Sequence, residues 1–124
     1  MATITPSATG IAGGVLVEWH GVSAGDTCTA FPNTDFWGQD FSTLTDRVIQ
    51  VTGGTISLEG AFRINSTVAS YATLHKVDGT TTVILSSASI CQVLEPALFV
   101  RPAPTAGASG VHVILKATAG GNRF

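Results

Sequence analysis

The chain has 124 residues, 44% of them apolar and only 11% charged, with a formal net charge of −2. That length supplies one hydrophobic core and excludes two full domains, and the apolar content excludes intrinsic disorder. The six Lys and Arg residues are scattered singly, so no basic field exists for nucleic acid, and so few charges imply apolar surface buried in an oligomer or larger assembly.

The first ten residues, rich in Thr, Ser and Ala, read as a flexible arm ahead of a single domain over residues 11–124. They show neither the cationic start nor the apolar run of a signal peptide. The most apolar stretch, Ile11 to Val17, is interrupted by Gly13-Gly14 and falls far short of the about 20 residues of a spanning helix. Synthesis in a cytoplasm, with no membrane partner, is the expectation. From Gly14 to His20, Val15, Val17 and Trp19 alternate with Leu16, Glu18 and His20, the period of a half-buried strand. Phe31, Phe36, Trp37 and Phe41 then fall within a segment that otherwise reads as a loop. Arg47 to Thr52 and Thr55 to Gly60 are strand-like, and the intervening Gly53-Gly54 predicts a tight antiparallel hairpin. Tyr71 to Val77 and Thr80 to Leu85 form a second candidate pair around Asp78-Gly79.

Between Ser89 and Pro96 the period changes. Ile90, Val93 and Leu94 follow i, i+3, i+4 spacing, Ser89 with Gln92 resembles a capping box, and Pro96 closes the segment. This predicts a short helix over residues 89–95, plugging one end of the core. Leu98 to Arg101 is a short strand stopped by Pro102, and Gly110 to Thr118 ends the pattern with Val111, Val113 and Leu115 on one face and His112, Ile114 and Lys116 on the other. Seven or eight short strands with no βαβ alternation predict an all-β fold, an antiparallel sandwich or jelly-roll-like barrel. The pattern assigns Val15, Val17, Trp19, Val48, Val51, Ile56, Leu58, Leu74, Val113 and Leu115 to the core.

Chemistry-bearing motifs are sparse. His20, His75 and His112 lie on separate strands without clustered ligands, so no metal site is expected. Neither a nucleophile elbow nor a glycine-rich phosphate loop occurs, and Asp35 and Asp40 read as loop residues, so no catalytic residue, enzyme activity or cofactor is expected. Cys28 and Cys91 have no CxxC spacing and read as two reduced thiols. The aromatic segment offers three readings: a cluster packed under a loop, a partner-contact surface, or a sugar-binding platform.

The order of several short motifs resembles a family of small structural proteins of tailed-bacteriophage virions, of the capsid decoration or cement type. The resemblance rests on Val17-Glu18-Trp19-His20-Gly21 with Ala24-Gly25-Asp26-Thr27, then Val48-Ile49-Gln50-Val51-Thr52-Gly53 and Ile56-Ser57-Leu58-Glu59-Gly60. It continues through Tyr71-Ala72-Thr73-Leu74-His75, Ala88 to Glu95, and Leu98-Phe99-Val100-Arg101-Pro102. After Gly60 the chain reads Ala61-Phe62-Arg63-Ile64-Asn65, where such proteins carry a polar hairpin leading to a Trp. The resemblance implies a β-sandwich on the outer surface of a virion, bound to the major capsid protein and to copies of itself as a dimer or trimer. Phe31, Phe36, Trp37 and Phe41 are then the expected partner contacts, with Arg101 as an orienting cation. A tail or neck component of a phage particle is the first alternative. The strand pattern is also similar to galactose-binding-like sandwiches, which makes a carbohydrate-binding module the second.

Overall fold

Alternation of apolar and polar side chains builds two sheets that share one core. The computed structural model describes residues 2–32, 41–64, 67–68 and 70–119. In chain order its strands are β1 (Thr3–Ile4), β2 (Ser7–Ile11), β3 (Gly14–Val22), β4 (Thr27–Cys28), β5 (Asp46–Val51), β6 (Ile56–Ala61), β7 (Arg63–Ile64), β8 (Thr67–Val68), β9 (Ala72–Thr73), β10 (Ile84–Leu85), β11 (Ser89–Val93), β12 (Phe99–Pro104) and β13 (Val111–Thr118). Apart from one 3-10 turn at Phe41–Thr43, every regular element among the described residues is a strand. The protein is all-β, as the strand patterns predict.

The larger sheet has the order β11-β5-β13-β3-β2, antiparallel throughout. Its register stacks inward-facing side chains in rows: Cys91, Ile49, Leu115 and Val17 in one, and Ser89, Val51, Val113 and Trp19 in the next. The second sheet has the order β10-β6-β12, with β9 also on β6, and contributes Ile56, Leu58, Leu85 and Val100 to the same buried cluster. Trp19 is fully buried, and its indole N–H donates to the Thr29 carbonyl at 2.9 Å, so its one polar atom is satisfied inside the sandwich.

Five expectations are corrected. Residues 89–93 form β11, a strand paired with β5, and not a helix. Burial there has period 2, with Cys91 and Val93 turned inward and Ile90 and Gln92 outward, so pairing to a neighbour overrides the helical spacing. Gly53 and Gly54 turn no hairpin: β5 and β6 lie in different sheets, and the chain crosses between them here. The return crossing between β10 and β11 touches the same point, where a Cβ on Gly54 would meet the Ser86 carbonyl oxygen at 2.0 Å. The glycine serves close backbone approach. Pro102 does not stop its strand, because β12 runs through Pro104. Val100 donates its N–H to Phe31, away from β6, so the alternating positions 102 and 104 also point away from β6 and require no donor. Val48 lies half-buried on the outer face, and Ile49 takes the core position assigned to it. Of the expected arm, Thr3–Ile4 and the segment from Ser7 on are held in sheets: β1 pairs parallel with β4, and β2 is the edge strand on β3.

The inward row nearest one end of the larger sheet reads Val93, Arg47, Ala117 and Val15. Arg47 is 1% exposed. Its Nε donates to Leu44 O at 2.8 Å, Nη1 to Ala97 O at 2.7 Å and Nη2 to Phe41 O at 2.8 Å, while the guanidinium lies 4.0 Å from the Phe41 ring centroid. A buried charge is tolerable only when so completely hydrogen-bonded. Each carbonyl left without its donor costs about 1–3 kcal/mol. Arg47→Met, which keeps the packing over Phe41, is expected to destabilise the fold by roughly 3 kcal/mol or more, and Arg47→Lys, which lacks the planar fork, by a comparable amount. Urea denaturation measures both; a loss under about 1 kcal/mol for either would refute this role.

The hairpin expected around Asp78-Gly79 is present, with Lys76 N donating to Thr81 O and Val83 N to Leu74 O. Gly79 takes the positive φ of +79° at its tip. The Asp78 carboxylate accepts from the Thr81 hydroxyl and from the N–H groups of Thr81 and Thr80, and these bonds lower its pKa from 3.8 to about 2. A carboxylate depressed in the folded state supports the turn above its ordinary pKa and loses that support as pH falls through the lowered value. The Thr80 and Thr81 amide resonances are expected to titrate together with a midpoint near 2, and in Asp78→Asn that titration should vanish; a midpoint near 4 would contradict the geometry.

Candidate functional site

The residues singled out from the sequence do not come together on one surface. Phe41 is fully buried and meets Phe31 edge-on, with ring centroids 5.2 Å apart and Arg47 stacked on its other side. Its ring therefore serves the core, which corrects its assignment as a contact. Phe31 is half-buried against that core and bridges to Val100. Phe36 and Trp37 lie outside the described residues. Arg101 stands on the outer face of the second sheet, where Nε meets Glu59 Oε1 at 3.0 Å and the guanidinium covers the Tyr71 ring at 3.8 Å. Its charge is thus engaged within the chain.

The outer face of the five-stranded sheet is the more unusual surface. Register places Ile90, Gln50, Ile114, Glu18 and Ser7 in one outward row and Gln92, Val48, Lys116, Leu16 and Thr9 in the adjacent one. Diagonal neighbours on a sheet lie about 7–8 Å apart, within reach of branched side chains. Ile90, Val48, Ile114 and Leu16 therefore form an apolar zigzag crossing four strands, which Ile11 at the edge extends onto the fifth. Ile90 is 63% exposed, and Leu94, just past the end of β11, is 44% exposed. A sheet that faces water normally presents polar side chains there.

Titratable groups converge at one end of this face. Glu18 and His20 alternate on β3, and the register that pairs Val113 with Trp19 and Ile114 with Glu18 brings His112 alongside them, next to a bulge. His20 Nε2 lies 3.3 Å and His112 Nε2 3.1 Å from the same carboxylate oxygen, Glu18 Oε1, with the two imidazole centroids 4.0 Å apart. The sequence spacing suggested isolated histidines. The long-range pairing of β3 with β13, which no local motif encodes, assembles them.

A second His–carboxylate pair lies beside a recess of about 480 Å³ lined by Phe62, Ala72, Leu74, His75, Glu95 and Ala97. His75 Nδ1 is 2.5 Å from Glu95 Oε2, and the His75 backbone N–H donates to Glu95 Oε1 at 2.7 Å. Burial pushes the Glu95 carboxyl up, but the His75 hydrogen bonds outweigh it and the net shift is downward. The recess is apolar, and Phe62, at 51% exposure, is its one exposed ring.

Both cysteines are free. Cys28 is buried, and burial, reinforced by the nearby Asp26 charge, raises its pKa from 9.0 to about 11. Burial raises the Cys91 thiol as well. Searches of family models, curated proteins and solved structures find no match to this chain. Among the described residues no helix is long and apolar enough to cross a membrane.

With a pKa near 11, Cys28 carries on the order of 0.1% thiolate at pH 8, against a substantial fraction once unfolded. In a Cys91→Ser background, labelling of the native protein by Ellman's reagent is expected to be about 100-fold slower or more than in denaturant. Rapid labelling without unfolding would remove Cys28 from the core.

Proposed function

We propose that this chain is a virion structural protein of the capsid decoration type, which packs the outer face of its five-stranded sheet against copies of itself and against the major capsid protein. The observation that carries the proposal is the apolar zigzag of Leu16, Val48, Ile90 and Ile114 across that face. Leaving such a surface in water is costly at about 25 cal/mol per Å² of apolar area, so a neighbour that covers it gains correspondingly. A stable interface buries about 1,600 Å² in total, roughly 800 Å² from each partner, which a five-stranded face of this kind can supply. The motif order set out above and the low charge content, 11%, support the same reading. Repetition of one interface around symmetry axes lets modest single contacts add up over a shell.

The test combines assembly and location. Wild-type protein is expected to sediment as a dimer or trimer at tens of micromolar, and purified particles to carry hundreds of copies on the shell. An Ile90→Asp, Ile114→Lys double variant should sediment as a monomer, keep its melting temperature within a few degrees, and be missing from particles. Six or twelve copies at one vertex would transfer the reading to the tail or neck. A wild-type monomer that is absent from particles would overturn it.

A further inference from the structure

We propose that Glu18, His20 and His112 form a binding site for a divalent transition-metal ion of the zinc class, a property independent of whether the chain decorates a capsid. Two imidazole nitrogens of borderline softness with one hard carboxylate oxygen suit zinc, nickel, copper or ferrous iron, whereas calcium and magnesium favour an all-oxygen set. The three candidate ligand atoms all lie within 4.8 Å of one another. Tetrahedral coordination at zinc, with bonds of about 2.0–2.1 Å, sets neighbouring ligand atoms about 3.3 Å apart. The separations of 3.3 Å from His20 Nε2 and 3.1 Å from His112 Nε2 to Glu18 Oε1 match that spacing.

The backbone holds the trio rather than leaving it to chance. Glu18 and His20 are two apart on β3, so their side chains share a face. His112 is fixed on β13 by reciprocal bonds with Thr52: the His112 N–H donates to Thr52 Oγ1 at 3.0 Å, and the Thr52 N–H donates to the His112 carbonyl at 3.1 Å. The register of β13 on β3, with Val113 opposite Trp19 and Ile114 opposite Glu18, sets His112 beside Glu18 and His20. Placing ligands on paired strands keeps most of the ordering cost of metal binding within the cost of folding. Both rings approach the same Glu18 oxygen, and an ion would sit among these three ligand atoms. Three protein ligands leave a tetrahedral ion one further position, and His20, with a side-chain exposure of 59%, places that position toward solvent.

The experiment titrates Co²⁺, and Zn²⁺ in competition, into full-length protein freed of any affinity tag. One ion per chain is expected, with visible d–d absorption of the intensity given by four- or five-coordinate cobalt, bleached by Zn²⁺, and with a melting temperature that rises on Zn²⁺ addition and returns on chelation. Glu18→Ala, His20→Ala and His112→Ala should each weaken binding by about tenfold or more, while His75→Ala, at the other His–carboxylate pair, should bind as the wild type does. His20 is the most exposed of the three ligands, so its variant is the one to rely on if either of the others fails to fold by circular dichroism. No saturable absorption up to millimolar Co²⁺, full binding by His20→Ala, or loss of binding in His75→Ala would each overturn the assignment.

Discussion

The buried guanidinium of Arg47 is the constraint around which the sandwich is arranged. It occupies an inward position of β5 where Ile49 and Val51 continue the same face, so the apolar phase of the strand carries a full positive charge into the core. Removing that charge from water is expensive, and among the described residues three carbonyls from two separate connections accept from it. Phe41 and Leu44 belong to the segment leading into β5, and Ala97 to the link between β11 and β12. That link is where the chain passes from the larger sheet to the smaller. One side chain therefore sets the approach of the two sheets and pins the Phe41 ring beneath it, a specificity that apolar packing alone does not confer.

Where a strand's neighbours repeat its own alternation, the sequence was sufficient to read it. β3 and β13 have the predicted inward residues, and Val15, Val17, Trp19, Val113 and Leu115 are all buried. What the sequence concealed was pairing. Residues 89–95 satisfy helical spacing and strand alternation about equally, and only the presence of β5 alongside decides between them. Gly53-Gly54 suits a hairpin or a crossover, and the choice depends on which sheet accepts β6, a long-range matter. Pro102 and Pro104 are compatible with a strand only at positions whose N–H faces away from the partner, a condition that one-dimensional patterning does not express.

The site followed the same division. Leu16 and Ile114 were legible as apolar residues on the polar side of their strands, yet their joining with Val48 and Ile90 into one zigzag is a consequence of register. The aromatic segment drew attention because Phe and Trp dominate interface energies, but Phe41 turned inward, since a ring is needed against Arg47. His20 and His112 are 92 positions apart in the chain, and the pairing of β3 with β13 brings their rings to a 4.0 Å centroid separation. Local spacing identifies metal ligands only when they share one segment, whereas these lie on paired strands.

The two outer faces of the sandwich differ in a way that bears on orientation. On the smaller sheet Glu59 and Arg101 pair at 3.0 Å and Arg101 covers Tyr71, so these groups are engaged within the chain, and Ile84 on β10 stands 54% exposed beside them. On the larger sheet Ile90 stands exposed on the edge strand β11, with Leu94 exposed just past its end, and the half-buried Val48, Ile114 and Leu16 continue across the neighbouring strands. In the proposed assembly the five-stranded face is the one that is covered, and the Glu18, His20 and His112 group lies at the border of that cover. A metal ion there would be held by three groups of one chain, with its remaining position directed toward whatever lies against the sheet. The same register thus places an apolar zigzag and three candidate metal-ligating side chains next to one another on one sheet face.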